Sequence, residues 1–148
     1  MRITRDIALS ASPANVWPTL WDVARMVECV PGCVDATEIE PRRRYAARMT
    51  QQVGPIRVSI PLDIEVTEEK PGWCLVLKAK GRDALVATGV SVTVRLDLGP
   101  REAGSSLRLD AEWRVLGQVA ALGHPIIQRR AEGMVDEFAA RLERALGR

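Results

Sequence analysis

Hydrophobic and polar residues alternate with a period of two over most of this chain, which is the pattern of half-buried β-strands. The first stretch alternates through Ile3, Ile7 and Leu9. Proline and glycine punctuate the later stretches, where they favour turns between strands. The pattern predicts seven strands, at residues 2–10, 33–40, 44–53, 56–68, 73–80, 85–98 and 106–116.

The alternation also predicts that one face of the sheet is buried and the other solvated. The clearest case is the stretch 56–66, where every second residue is a large aliphatic one. Its apolar face carries Ile56, Val58, Ile60, Leu62, Ile64 and Val66. Pro61 falls on the polar face of this stretch and cannot donate a ladder hydrogen bond, so we expect a bulge or bend there.

Helical spacing replaces alternation in three places. Ser12-Pro13 is typical of a helix start, with serine at the N-cap and proline in the first turn. A second short helix is predicted at about residues 23–28. The last segment, about 118–146, is predicted to be one long helix, which Pro125 bends one turn in. Its apolar stripe consists of Ile127, Ala131, Met134, Phe138, Leu142 and Ala145.

This order of elements predicts the fold class α+β, with all 148 residues, 1–148, in one domain. A twisted antiparallel sheet of seven strands curls, and the long helix must bury its stripe against the concave face. Two short N-terminal helices can close one end. The prediction is therefore a helix-grip architecture with a hydrophobic cavity between sheet and helix.

The apolar phase of each strand and the helix stripe together nominate residues that line this cavity and bind a ligand. These candidates are Val30, Met49, Gln51, Ile60, Leu62, Leu75, Leu77, Thr88, Val90, Val92, Trp113, Leu122, Ile127 and Met134. Gln51 and Thr88 are polar residues in apolar company. They either form internal hydrogen bonds, with protein or buried water, or orient an apolar ligand. Met49 and Met134 are core filler or an adaptable cavity wall.

The stretch Cys29-Val-Pro-Gly-Cys33 carries two of the three cysteines. A redox dithiol of the thioredoxin kind needs C-x-x-C at a helix N-terminus, and a tetrahedral zinc site needs four ligands. The spacing here is C-x-x-x-C, and only Cys74 and His124 remain as further ligands. Both cysteines are therefore interpreted as small buried residues beside a Pro-Gly turn, with a reversible disulfide as the alternative.

Composition narrows the function classes. The apolar share of 47% and charged share of 27% fit a packed globular protein, and a net charge of +2 argues against a dedicated nucleic-acid binder. No apolar run approaches the roughly 18 residues of a membrane span. The N-terminus carries charges and lacks a signal-peptide core, so we expect a cytoplasmic protein.

Enzyme chemistry has few candidates in the sequence. His124 precedes Pro125 and is interpreted as structural or solvent-facing, and Tyr45 is a single phenol without an evident partner. The carboxylates of the strands alternate outward, as at Asp63 and Glu65. No catalytic triad, phosphate loop or metal cluster is visible, and none of the usual cofactors is expected.

Basic residues suggest a third class, an interaction module. Residues 42–44 are three arginines at a predicted turn, and Arg129-Arg130 are expected on the outer face of the last helix. They are either solvated surface charge or a patch that contacts anionic lipid or an acidic partner. Val27, Val30 and Val34 would form an apolar lip beside the cavity mouth.

Several short motifs in sequence resemble the CoxG family, which is named after a subunit of carbon monoxide dehydrogenase and is a branch of the START/Bet v 1-like (SRPBCC) superfamily. They extend in order over nearly the whole chain. They are Val16-Trp17, Val30-Pro31-Gly32-Cys33, Val53-Gly54-Pro55, Val94-Arg95-Leu96, Leu107-Arg108-Leu109, Val115, Gly117, Leu122-Gly123, and Asp136 with Phe138. In that family, Pro-Gly-Cys is the entry to the second strand and has no chemistry attached.

The resemblance implies a non-enzymatic accessory protein of a molybdenum hydroxylase such as carbon monoxide dehydrogenase. It also implies a lipophilic small molecule in the cavity, a quinone or lipid, and help in recruiting the enzyme to the membrane, with the protein peripheral at its inner face. Nucleic acid is not an expected partner. The runner-up in the superfamily is a polyketide cyclase or aromatase that acts on a hydrophobic small molecule.

Three departures from the family bear on these expectations. Some relatives continue past the long helix into a membrane-anchoring tail, whereas this chain ends at Arg148, so we expect peripheral or partner-borrowed membrane contact. Trp113 stands where relatives have a small residue and could shrink or divide the cavity. Pro125 interrupts the start of the helix that lines it.

Overall fold

The computed structural model describes residues 1–83, 85 and 87–146. The strands are β1 (Arg2–Leu9), β2 (Cys33–Glu40), β3 (Arg44–Val53), β4 (Ile56–Lys70), β5 (Cys74–Asp83), β6 (Thr88–Arg101) and β7 (Gly104–Gly117). The helices are α1 (Pro13–Trp21), α2 (Val23–Val27) and α3 (His124–Leu146), and a short 3-10 helix spans Ala120–Leu122. Each predicted strand is present. The predicted start of the sixth at residue 85 includes Val86, which lies outside the described residues.

All seven strands form one antiparallel sheet in the order β1-β7-β6-β5-β4-β3-β2. The register keeps the apolar phases of neighbouring strands together, as in the row Ala79, Val92 and Trp113 across β5, β6 and β7. Side chains of the sheet and of α1, α2 and α3 pack into a shared core. The helix-grip prediction is confirmed.

The first helix begins where the sequence places it. Ser12 is the N-cap, and its carbonyl accepts backbone hydrogen bonds from Asn15 (2.9 Å) and Val16 (3.0 Å). Pro13 occupies the first turn, where a missing N–H costs nothing because that group has no helical partner. Val16 and Leu20 of this helix are fully buried.

The long helix begins later than predicted. Residues 118–123 do not belong to α3, because the chain makes a 3-10 turn at Ala120–Leu122 and then reverses at Gly123, whose φ is +94°. The helix starts at His124, which places Pro125 in its first turn. The expectation that Pro125 bends the helix is therefore wrong, since proline at this position lacks an i−4 partner to disrupt.

Pro61 does not produce a register shift either. The β3–β4 pairing runs without interruption through Arg48 opposite Pro61. The β4–β5 ladder begins at Leu62, one residue after Pro61. The shift in β4 lies instead between Val66 and Glu68.

The Cys29–Cys33 stretch forms the turn between α2 and β2. The Cys33 amide donates to the Val30 carbonyl at 3.1 Å, and Gly32 has a φ of +85°. All three cysteines are free and buried. The structure supports the interpretation of Cys29 and Cys33 as small buried residues beside a Pro-Gly turn.

Alanine substitutions at Gly104 and Gly72 can be compared to test how closely the backbone packs at two turns of the sheet. Both have positive φ, but a Cβ on Gly104 would lie 2.1 Å from the Leu9 carbonyl oxygen, whereas one on Gly72 meets nothing within 4 Å. We expect G72A to lower the free energy of unfolding by about 1 kcal/mol, the cost of a left-handed residue. G104A should lower it by about 3 kcal/mol, because backbone must also move. Urea denaturation of both variants checks this, and equal losses would contradict the close approach of β1 to this turn.

Candidate ligand cavity

A cavity of about 290 Å³ lies between the concave face of the sheet, α2 and α3. Its volume is at the lower end of the range for small-molecule sites. Valine, isoleucine, leucine and alanine side chains of β3–β7 form most of the wall, and α3 contributes the opposite side through Ile127, Met134 and Phe138. The sheet and the helix therefore leave an apolar hollow between them, beside the packed core.

Most of the nominated residues line this cavity. They are Val30, Met49, Gln51, Ile60, Leu62, Leu77, Thr88, Val90, Val92, Trp113, Ile127 and Met134. Leu75 is fully buried in the core but lies outside the lining, and Leu122 sits in the 3-10 turn that packs near Gly54. That the lining residues bind a ligand stays a prediction.

Sequence reasoning missed several wall residues. Ile64, Ala79, Val94, Leu96, Ala111 and Phe138 line the cavity as well. Each has the same phase as a nominated neighbour two or four residues away, so the alternation and the helix stripe contain the signal.

Arg130 is the most consequential of these omissions. The sequence favours the outer face of the last helix for it, but its side chain contributes to the cavity lining, and its guanidinium bonds to Gln51. Its Nε donates to Gln51 Oε1 at 2.9 Å, and its Nη2 donates to the same oxygen. Arg130 lies three residues after Ile127 and four before Met134, a spacing that places it at the edge of the inward stripe, although the residue as a whole is exposed. Arg129, by contrast, is exposed and has no ion pair among the described residues.

Gln51 is 4% exposed, and both ends of its amide are occupied. Its Nε2 donates to the Pro31 carbonyl at 2.5 Å, while its oxygen accepts from Arg130. A Cβ on Gly32 would lie 2.5 Å from Gln51 Nε2, so glycine is what lets the amide approach this turn. The internal hydrogen-bond interpretation is the one that the structure shows for Gln51.

Thr88 has the same character. It is 2% exposed, and its Oγ1 accepts from the Val119 amide at 3.3 Å. The bond ties the start of β6 to the segment that leads into the 3-10 helix. Gln51, Thr88 and Arg130 are the polar members of the lining among the residues that the structure describes.

The two ionisable side chains that the sequence offers as catalytic candidates, Tyr45 and His124, do not line the cavity. Tyr45 is buried outside the lining and donates to Glu38 Oε2 at 3.2 Å. Burial is the largest cause that raises the pKa of the Tyr45 phenol to about 12, and the hydrogen bond to Glu38 is the second. His124 is exposed at the start of α3. Within residues 1–83, 85 and 87–146, no group of histidine, cysteine and carboxylate side chains is arranged to hold a metal ion.

Asp83 is a buried carboxylate that alternation does not single out. It accepts from the Ser59 amide at 2.8 Å and from the Leu85 amide at 2.9 Å. These bonds brace the end of β5 against β4 and hold the following turn. Asp83 does not line the cavity, so its role in the described structure is to position backbone.

The outer surface near the cavity differs from the predicted lip. Val27 is buried, Val30 is half-buried and Val34 is exposed. Ile39 and Trp73 are exposed elsewhere. Three further exposed apolar side chains lie at the sheet end formed by the β3–β4 and β5–β6 turns, the end of β7 and the start of α3. They are Leu85, Leu116 and Ile126, at 96%, 60% and 39% exposure.

The predicted basic patch at residues 42–44 is partly neutralised. Arg42 lies over the Trp21 ring at 5.0 Å, and Arg44 pairs with Asp63 (3.7 Å) and Glu65 (3.8 Å). Arg43 has no ion pair among the described residues. The same is true of Arg82 at the sheet end with Leu85, Leu116 and Ile126, where Arg82 and Leu116 flank Gly89 on the outer face. None of the described helices has the length and hydropathy of a membrane span.

Comparison with solved structures shows the class of fold. A START superfamily protein from Mycobacterium smegmatis superposes with a TM-score of 0.73 at 13% identity, over 99% of this chain and 97% of that chain. A conserved protein from Geobacillus kaustophilus gives a TM-score of 0.88 at 22% identity, over 99% and 95%. An aromatase/cyclase from a Streptomyces strain gives 0.73 at 10% identity, over 100% and 94%. The fold is therefore of the START/Bet v 1-like type.

The sequence profile of the carbon monoxide dehydrogenase subunit CoxG matches residues 6–147. The chain belongs to the CoxG family, as its motifs indicated. No curated protein matches the chain.

The thiols provide a test of the burial that shapes this site. Burial raises the pKa of Cys33, which lines the cavity, to about 11, and it also raises the pKa values of Cys29 and Cys74. Because the thiolate is the nucleophile, we expect iodoacetamide at pH 8 to leave Cys33 unlabelled in native protein. Labelling should rise as the pH approaches 11. Mass spectrometry measures it, and urea-denatured protein, in which all three cysteines react, is the control. Fast labelling of native Cys33 at pH 8 would contradict this placement.

Proposed function

We propose that this protein is a non-enzymatic accessory protein of a molybdenum hydroxylase of the carbon monoxide dehydrogenase type, and that it binds a lipophilic small molecule in its cavity. The observation that carries the binding role is the cavity itself, a hollow of about 290 Å³ with walls almost wholly of apolar side chains. Removal of apolar ligand surface from water into such walls contributes roughly 25 cal/mol per Å².

A respiratory quinone or a lipid fits this cavity chemically. Its aliphatic walls suit an isoprenoid or acyl chain, and its few polar groups would have to meet the head. At the lower end of ligand-site volumes, the cavity holds a short apolar chain, and the rest of a longer ligand would extend beyond it.

The role in partnership with an enzyme rests on family membership. The accessory protein would carry the ligand between the membrane and its partner. In this proposal the sheet end with Leu85, Leu116 and Ile126 contacts anionic lipid, aided by Arg82 and Arg114, which have no ion pair among the described residues. Basic residues near an anionic surface contribute about 1 kcal/mol each.

The competing hypothesis is a cyclase or aromatase, a class represented among the structures of similar fold. Such an enzyme needs an acid or base positioned against its substrate. The part of the lining that the structure describes offers Gln51, Thr88 and Arg130 but no carboxylate, histidine or tyrosine. Turnover of a poly-β-ketone analogue by the purified protein would favour the enzyme over the carrier.

The direct experiment is solvent extraction of the purified protein followed by mass spectrometry. A quinone or lipid recovered in stoichiometric amount supports the carrier. Recovery of molybdenum hydroxylase subunits with ligand-free protein, and no ligand from any preparation, would support a scaffold instead.

Filling part of the cavity should weaken ligand binding without loss of the fold. Val92 lines the cavity opposite Trp113, and the neighbouring Ser91 is exposed on the outer face of the same strand. We expect V92F to weaken binding of decylubiquinone at least about tenfold, because the added ring occupies ligand volume, whereas S91F leaves it unchanged. Quenching of tryptophan fluorescence measures the affinity, since Trp113 lies in the wall. Equal affinities in the two variants would count against the cavity as the binding site.

The membrane contact has its own test. We expect the double variant L85E/L116E to bind phosphatidylglycerol vesicles about tenfold more weakly than the wild type, because it replaces apolar contact with charge repulsion. I39E is the matched control, since Ile39 of β2 is 57% exposed but lies away from this end of the sheet. Vesicle co-sedimentation at low salt measures binding, and a loss of equal size in I39E would argue against a localised docking end.

A further inference from the structure

We infer that Arg130, held by Gln51, binds the oxygen-bearing head of the cavity's ligand, and that the ligand is therefore an amphiphile whose head accepts hydrogen bonds, such as a carboxylate or a quinone carbonyl. The inference rests on the proposed binding function and adds the chemistry and direction of the ligand.

The first step is the fixed position of Gln51. Its side chain is 4% exposed, its Nε2 donates to the Pro31 carbonyl, and the missing side chain of Gly32 makes room for that approach. With one N–H bonded to Pro31, the amide directs its oxygen toward Arg130 of α3. The turn between α2 and β2 thereby sets an acceptor at the edge of the cavity.

The second step is the arginine that this acceptor holds. Arg130 gives two donors, on Nε and Nη2, to the single oxygen of Gln51. A guanidinium has five donors and no acceptor, so further N–H groups stay available. Arg130 forms no ion pair with a carboxylate in the described structure, and its hydrogen-bond partner is the neutral amide of Gln51. The cation is therefore positioned but not neutralised.

The third step is its location. Arg130 is exposed as a whole residue, yet its side chain lines the cavity, so it stands where the cavity meets solvent. The remaining lining is aliphatic or aromatic apart from Gln51 and Thr88, and the hydroxyl of Thr88 already accepts from Val119. A ligand that suits both the apolar wall and Arg130 has its tail in the cavity and an acceptor oxygen at the rim. There the oxygen can accept charge-assisted hydrogen bonds from the guanidinium.

A purely structural role for Arg130, as a latch between α3 and β3, is the alternative. Loss of a latch would lower the affinity for every ligand by the same factor. Loss of a head-group contact would instead lower it most for ligands whose head accepts the strongest hydrogen bonds. Three probes with the same ten-carbon tail separate the two: decanoate, decylubiquinone and 1-decanol.

The test uses R130M, which keeps most of the apolar stem, with R129M as its matched control. We expect R130M to weaken decanoate about tenfold and decylubiquinone by a smaller factor, with 1-decanol changed least. R130K should restore part of the decanoate affinity. R129M should match the wild type for all probes. Isothermal titration calorimetry at two salt concentrations measures this, and only the Arg130-dependent part for decanoate should fall with salt.

Two results would overturn the inference in different ways. Equal losses for decanoate and 1-decanol in R130M would show a latch and leave the proposed cavity binding intact. Wild-type protein that binds none of the three probes would overturn the proposed binding function, and this inference with it. The relative losses of decanoate and decylubiquinone indicate whether the head is an acid or a quinone.

Discussion

The structure depends on one constraint, the shared phase of alternation across paired strands. Because successive side chains of a strand point to opposite faces, a slip of one residue in any ladder would turn its aliphatic face to solvent. The pairs of Ala79 with Val92 and of Val92 with Trp113 show this register in the middle of the sheet. The cavity wall, the burial of the α3 stripe and the placement of Gln51 all follow from it.

Alternation is also why the sequence predicts the strands and the helix-grip architecture so well. It is a local property, repeated every two residues, and turns marked by Pro and Gly delimit it. The boundary of α3 is predicted less well. Residues 118–122 contain good helix formers, but Gly123 adopts a φ of +94°, a conformation that propensity alone does not specify. Proline at 125 then marks a helix start rather than a bend.

The extent of the cavity is less accessible to sequence reasoning than its wall. Leu75 and Leu77 have the same phase on β5, yet only Leu77 lines the hollow. Where the hollow ends along a strand depends on how distant side chains fill the space, and periodicity does not encode this. The Gln51–Arg130 bond is a similar case, since its partners are 79 residues apart. The helical spacing of Arg130 is visible in the sequence, but its charge favours the outer face in the absence of a known acceptor.

The choice of side chains in the wall bears on whether the hollow serves a purpose. A cavity forgoes the dispersion contacts that larger residues would make, so it lowers stability unless something occupies it. Val58, Val90, Val92 and Val94, with Ala79 and Ala111, occupy positions where leucine or phenylalanine would reach further inward. β-Branched valines also have restricted χ1 rotamers, which keeps the wall in one shape. Small, stiff residues at consecutive inward positions maintain an open volume at a cost in packing, and the ligand binding that we propose would offset such a cost.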